Sequence, residues 1–136
     1  MTGLGGVTVT PLTVHSDHRG LLVELFRAPW VSLASGGQVY LTTAAAGAVK
    51  GNHFHRRKTE WFCVLKGMAE AHLVDVNGGE SRQISLDGRS PAVLSVPPMV
   101  AHSVRNTGTE TLMLLAYITE AFDPRDPDTY PWEVQT

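Results

Sequence analysis

His53 and His55 stand one residue apart in the stretch GAVKGNHFHRRKTEWFCVLKG, residues 47 to 67. On a strand, side chains at i and i+2 share a face, so both imidazoles aim at one point. Glu60 follows five residues after His55, far enough for the chain to turn and bring a carboxylate back alongside. His102 lies just beyond the turn Pro97-Pro98. Three imidazoles and one carboxylate suit a borderline divalent cation, zinc first, with iron, nickel or manganese also served by these donors. A lone histidine is an ordinary packed or solvated side chain. His72, mid-strand and outside any motif, reads that way, as do His15 and His18 in a loop.

Cations gather near these donors: Lys50, Arg56, Arg57 and Lys58, with Arg19 and Arg105 further off. A run of three on a turn is either a solvated surface or a pocket mouth that grips a phosphate or pyrophosphate. Trp61, Cys63 and Leu65 alternate with Glu60, Phe62 and Val64, and so belong to a core or a dimer contact. Cys63 has no neighbour in sequence to lower its pKa, which argues against a nucleophile. The chain carries no nucleophile elbow, P-loop or dinucleotide fingerprint, so hydride chemistry would need another domain.

The elements that position these residues are short strands. The chain has 136 residues, 43% hydrophobic and 18% charged, with 13 glycines and 8 prolines. Many turns and few charged faces suit one all-β domain spanning 1–136. Strands are expected over 21–27, 38–43, 53–55, 60–66, 69–76, 83–86, 92–96, 101–105 and 112–118, from alternation and from turn signals such as Asn77-Gly78-Gly79. The core is then 38–118, preceded by an arm over 1–16 that could add an edge strand. A tail over 119–136 has no helix or strand pattern and is expected to wrap the domain. Ser32–Gly37 reads as a loop, and Pro29–Leu33 or the tail is the only place for a short helix. Regularly spaced short strands predict a barrel or sandwich.

The net charge of −2 gives no reason to expect nucleic acid or an anionic membrane as partner. A single cysteine excludes an internal disulfide framework and is compatible with a reduced cytosol. The start MTGLGGVTVT has no charged, long apolar leader, and no apolar run is long enough for a bilayer. A cytoplasmic protein is expected. Exposed strand edges and the Gly-Thr-Val arm invite pairing as a homodimer.

Gly47, His53-x-His55, Glu60 and Gly67 resemble the first cupin motif at every fixed position. Pro97, His102 and Asn106 resemble the second, with Met99 where glycine is usual. The resemblance implies a cupin-type small β-barrel (a jelly roll) whose pocket holds a metal on His53, His55, Glu60 and His102. Asp17-x-Arg19-Gly20 with Glu24 resembles the start of dTDP-4-dehydrorhamnose 3,5-epimerases, in which a histidine after an R-G pair abstracts the sugar proton. Lys50-Gly51-Asn52-His53 stands in that place, although His53-Phe54-His55 departs from the usual H-x-Q. Phe122 falls near that family's catalytic tyrosine, and Tyr117 is the closest tyrosine.

A longer resemblance covers 47 to 134. KGNHFHRRKTEWF, VPPMVAHSVRNTG and FDPRDPDTYPWEV look like the C-terminal cupin domain of bifunctional capsular-polysaccharide enzymes. There, a reductase domain precedes a cupin that binds zinc and epimerises a UDP-4-keto sugar; a stand-alone version is expected here. Sugar 3,4-ketoisomerases share a G-N-H-x-H-like segment. These resemblances imply an epimerase or isomerase acting on a nucleotide-diphospho-4-keto sugar. Two arrangements stay open. A cation on the four donors polarises the ketone, with Tyr117, Tyr130 or Lys50 as base; or His53 is itself the base. Arg19, Lys50, Asn52, Lys58 and Arg105 would hold the substrate. An iron-dependent cupin oxygenase and a non-catalytic sugar-binding cupin are the alternatives.

Overall fold

The computed structural model describes residues 3–27, 30–32 and 36–135. Its strands are β1 (Thr8–Pro11), β2 (Val14–Asp17), β3 (Gly20–Val23), β4 (Gln38–Ala44), β5 (Val49–Phe54), β6 (Glu60–Lys66), β7 (Met68–Asp75), β8 (Ser81–Asp87), β9 (Ala92–Val96), β10 (Val100–Asn106), β11 (Leu112–Ile118) and β12 (Tyr130–Pro131). No α-helix occurs among the described residues. One sheet runs β1-β9-β6-β11-β4 and the other β12-β5-β10-β7-β8, with β2 and β3 as a separate hairpin. Every pairing is antiparallel. The two five-stranded sheets enclose one core, as in a jelly roll.

Alternation explains the layering. On β7, Ala69, Ala71 and Leu73 are buried while Glu70, His72 and Val74 are less so. They join Phe62, Val64, Leu94, Val104, Leu112 and Leu114 between the sheets. On β6 both faces are covered. Phe62 and Val64 enter that core; Trp61 and Cys63 join Val31, Val93 and Tyr117 in a second cluster with Leu25, Phe26 and Trp30.

Two departures from expectation are local, one in the strand expected over 21–27 and one in the tail. The strand expected over 21–27 stops at Val23, because its partner is Val14–Asp17 and the hairpin ends where that partner ends. Leu21 and Leu22 remain 70% and 60% exposed. The arm supplies β1, paired with β9. The tail, expected to hold no strand, donates β12, which pairs Tyr130 with Phe54 and Pro131 with His53. Of the short helix considered over Pro29–Leu33, residues 30–32 are described and are not helical, while its two end residues and part of the loop Ser32–Gly37 lie outside the described residues. Among the described residues no helix is long and apolar enough to cross a membrane.

Candidate functional site

Strand register builds the site. His102 of β10 lies directly across from His53 of β5, and a bulge follows between His102 and Ser103. Gly51 makes the close approach possible. Its φ is +97°, and a Cβ there would sit 2.8 Å from the His102 carbonyl oxygen. His55 follows the last residue of β5, and Glu60 begins β6 in the facing sheet. The imidazole centroids of His53 lie 5.1 Å from His55 and 4.8 Å from His102. One donor atom from each of His53, His55, Glu60 and His102 falls within 4.8 Å of the others.

The hydrogen bonds set the direction of each donor. His55 Nδ1 donates to the Asp128 carbonyl at 2.7 Å, and its Nε2 lies 3.2 Å from Glu60 Oε1. His102 Nδ1 donates to the Val100 carbonyl at 3.1 Å. That leaves His102 Nε2 buried without a hydrogen-bond partner, 3.4 Å from Glu60 Oε1. The other carboxylate oxygen, Oε2, accepts from the Tyr40 hydroxyl. A buried imidazole nitrogen aimed at a carboxylate with nothing between is costly. A divalent cation would remove that cost, so the residues present fit one.

The electrostatics follow from burial and contact. Burial favours neutral Glu60, but the neighbouring His102 and His55 and the Tyr40 hydroxyl outweigh it and hold the carboxyl well below the usual range. Burial, then the neighbouring His102 and His55, lowers His53 to about 4. Burial also works against protonation of His55, yet the Glu60 carboxylate and the Asp128 carbonyl outweigh it and raise its pKa. Burial, then the Glu60 charge and hydrogen bond, pushes the Tyr40 phenol far up. The site is therefore a buried carboxylate with a neutral imidazole, His53, on its open side.

Two cavities reach it. One of about 250 Å³ is lined by Tyr40, His53, His55, Lys58, Glu60 and Phe122, among others. The second, about 180 Å³, is lined by Tyr40, Lys50, Gly51, His53 and His102, among others. Tyr40 and His53 border both. Tyr40 went unremarked in the sequence, although Gln38, Tyr40 and Thr42 form a polar inward face on a recognised strand.

Other expected residues lie elsewhere. Tyr117 is on the outer face of β11, 5.6 Å from Trp61 and 6.2 Å from Phe26, because alternation turns it away from the Glu60 face. Tyr130 stacks on Phe54 at 5.3 Å with the Arg56 guanidinium 4.4 Å from its ring; pairing with Phe54 places it on the outside of its sheet. Arg19 is on the hairpin turn, bound to Asp17 at 2.6 Å, beside a different cavity. Asn52 spends its side chain on the tail, accepting from the Val134 and Gln135 amides and donating to the Gln135 carbonyl. Arg105 donates to the Gln135 side chain at 3.1 Å. The cationic run divides: Arg57 pairs with Glu120 and Asp126, Arg56 covers Tyr130, and only buried Lys58 lines the larger cavity. Lys50 lines the smaller one. His72 pairs with Glu70 at 2.6 Å.

Comparison with known proteins places this geometry in a lineage. The chain is 34% identical over 121 residues to a UDP-2-acetamido-2,6-beta-L-arabino-hexul-4-ose reductase of Pseudomonas aeruginosa, covering 89% of this chain and 31% of that protein. It is 28% identical over 135 residues to a probable low-salt glycan biosynthesis epimerase of Haloferax volcanii, covering 94% and 86%. It superposes on the capsular polysaccharide assembling protein CapF of Staphylococcus aureus with a TM-score of 0.72 and 31% identity, over 91% of this chain and 35% of that one. The chain thus spans about a third of the length of the reductase and of CapF. A dTDP sugar isomerase of Desulfovibrio desulfuricans shares the fold at a TM-score of 0.85 and 17% identity, over 97% and 87%. The all-β, cupin-type barrel expected from the sequence is the fold observed. Residues 15–130 match the family described as the polysaccharide biosynthesis C-terminal domain, and the chain belongs to that family.

Proposed function

We propose that the chain is a metal-binding epimerase or isomerase acting on a nucleotide-diphospho-4-keto sugar in polysaccharide biosynthesis. The observation that carries this is the four-donor cluster bordering the two cavities, with the lone pair of His102 Nε2 buried and unused. The relatives, a keto-sugar reductase and a glycan epimerase by name, support the substrate class. A divalent cation on His53, His55, Glu60 and His102, zinc by the donor set, supplies Lewis-acid polarisation of a keto oxygen when bound.

Epimerisation beside a ketone needs a base, stabilisation of the enolate oxygen and an acid on the opposite face. The Tyr40 hydroxyl, held protonated in the cavity wall, spends its one O–H on Glu60 and so holds that carboxylate in place. Lys50 and Lys58 bring positive charge to the two cavities, suited to a diphosphate. A second arrangement is favoured by His53 alone: it faces both cavities and its pKa near 4 keeps it neutral, which fits a general base. One nitrogen lone pair cannot serve cation and proton together, so the two arrangements exclude each other.

The test is solvent deuterium uptake next to the ketone of UDP- and dTDP-4-keto-6-deoxy sugars, with metal content measured on the same sample. Uptake is expected. Loss of both metal and uptake in His53→Gln assigns His53 to the cation; loss of uptake with metal retained assigns it to the proton. Oxygen consumption by iron-loaded protein without uptake would favour the oxygenase. A ligand-shifted Tm with neither would favour a binding protein.

The cytoplasm is the proposed location, with small nucleotide sugars and no nucleic acid or membrane as partners. A homodimer through β4 is part of the proposal. This edge strand exposes Val39 and Leu41 by 56% and 53% on its outer face, and such edges pair readily. Light scattering after size exclusion should return twice the chain mass; a monodisperse monomer contradicts it.

A further inference from the structure

The C-terminal tail meets the histidine cluster at one residue. Asp128 is 2% exposed and sits at φ +47°, a left-handed conformation that aspartate tolerates better than most side chains. Its carboxylate accepts three consecutive backbone N–H groups: Arg56 at 3.0 Å on Oδ1, then Arg57 at 2.9 Å and Lys58 at 3.1 Å on Oδ2. These amides form the turn that carries the chain from His55 to Glu60. The carbonyl of the same Asp128 accepts from His55 Nδ1 at 2.7 Å. One residue holds the turn by its side chain and the imidazole by its main chain.

A carbonyl oxygen can only accept, so His55 Nδ1 must carry a proton. Nε2 is then the nitrogen that faces Glu60 and the site. We propose that Asp128 is a positioning residue: its carboxylate staples the 56–58 turn to the tail, so that its carbonyl fixes His55 with Nδ1 protonated and Nε2 aimed at the cation site. The last step rests on the cation reading above; the fixing of the imidazole does not. Partners that orient a metal-ligating imidazole alter metal affinity by about 10- to 100-fold when removed.

Asp75 provides the comparison. It is 3% exposed, and its carboxylate accepts from the Gly3 amide at 2.7 Å and the Asn77 amide at 3.0 Å, without touching the histidines. The experiment uses the full chain with Asp128→Ala, Asp128→Asn and Asp75→Ala. It measures Tm, zinc affinity by competition with a chromophoric chelator, and imidazole N–H protons by nitrogen-edited NMR with and without zinc. His55→Gln assigns the His55 signal. The wild type should show a slowly exchanging His55 Nδ1–H in both states. Asp128→Ala should lose it and bind zinc about 10- to 100-fold more weakly. Asp128→Asn, which keeps one acceptor oxygen, should fall between. Asp75→Ala should lower Tm while keeping both signal and affinity. If Asp128→Ala behaves like Asp75→Ala, the proposal is overturned; if it does not fold, Asp128→Asn carries the comparison by the same criteria. Absence of a protected Nδ1–H in the wild type also overturns it. Loss of the signal in a protein that binds no zinc even as wild type supports the positioning role and sinks the cation reading instead.

Discussion

Single side chains in the site titrate in opposite directions, and that has a sign that can be measured. His53 is lowered to about 4 by burial and by its imidazole neighbours, against an ordinary value of 6.5. Between those values the unfolded chain binds more protons than the folded one, so metal-free protein loses stability as pH falls from 6.5 to 4. His55 is raised, despite its burial, by Glu60 and Asp128. Its contribution is complete below 6.5 and is lost as pH rises through its folded pKa. Urea denaturation with a chelator present, in pH steps, should therefore show His53→Gln flattening the acidic limb. His55→Gln should flatten the decline above 6.5. Tyr40→Phe removes a donor from a buried carboxylate and should cost about 1.5–3 kcal/mol at pH 7; a loss under about 0.5 kcal/mol would mean that the bond to Glu60 is not formed. His53 and His55 were legible because strand periodicity puts them on one face, and Glu60 and His102 because their spacing resembles the cupin motifs. Tyr40 was not: a tyrosine on an alternating strand signals nothing until its partner across the barrel is known. Tyr117 and Tyr130 misled for the complementary reason, since distance along the chain says nothing about which face of a sheet a ring occupies.

At the level of strands, the site depends on how closely β5 can approach β10. Gly51 and Gly47 both have positive φ, +97° and +78°, but only Gly51 is crowded; a Cβ at Gly47 would meet nothing within 4 Å. Gly47→Ala should therefore cost the backbone strain alone, about 1–2 kcal/mol. Gly51→Ala adds a clash with the His102 carbonyl and must push apart the two strands that carry His53 and His102. It should cost more than Gly47→Ala in urea denaturation and, on the cation reading proposed above, should alone weaken zinc binding. Equal losses for the two variants would show that the approach at Gly51 is not what sets the histidine spacing. Most central strands could be read beforehand, because β6, β7, β9, β10 and β11 are bounded by turn residues and carry strong apolar patterns. The full hairpin β2–β3 and the two-residue β12 could not, since the expected strand over 21–27 catches β3 but runs past Val23 and has no β2 beside it. The first exposes Leu21 and Leu22, so its pattern mimics a core strand. The second exists only because β5 offers it an edge, which is a tertiary fact.

Across the whole molecule the first sheet is covered on both sides only at its centre, β9-β6-β11: the main core lies on one side, and on the other the cluster of Trp61, Cys63, Val93, Tyr117 and Val31 under Leu25, Phe26 and Trp30. Alternation on β6 separated Trp61 and Cys63 from Phe62 and Val64; the cover of that outer face was not legible, because Leu25 and Phe26 belong to an alternating stretch whose strand stops at Val23. Cys63 is a natural probe of that cover. It is fully buried, and burial raises its thiol to about 11. A thiol reagent reacts with the thiolate, so at pH 8 labelling needs both opening of the cluster and ionisation in the opened state. If the covering segment belongs to the same cooperative unit as the sheets, the labelling rate should climb with urea along the slope of global unfolding. A rate that stays flat at low urea would instead mark the cover as a separate unit that opens while both sheets, and the histidine cluster between them, stay intact.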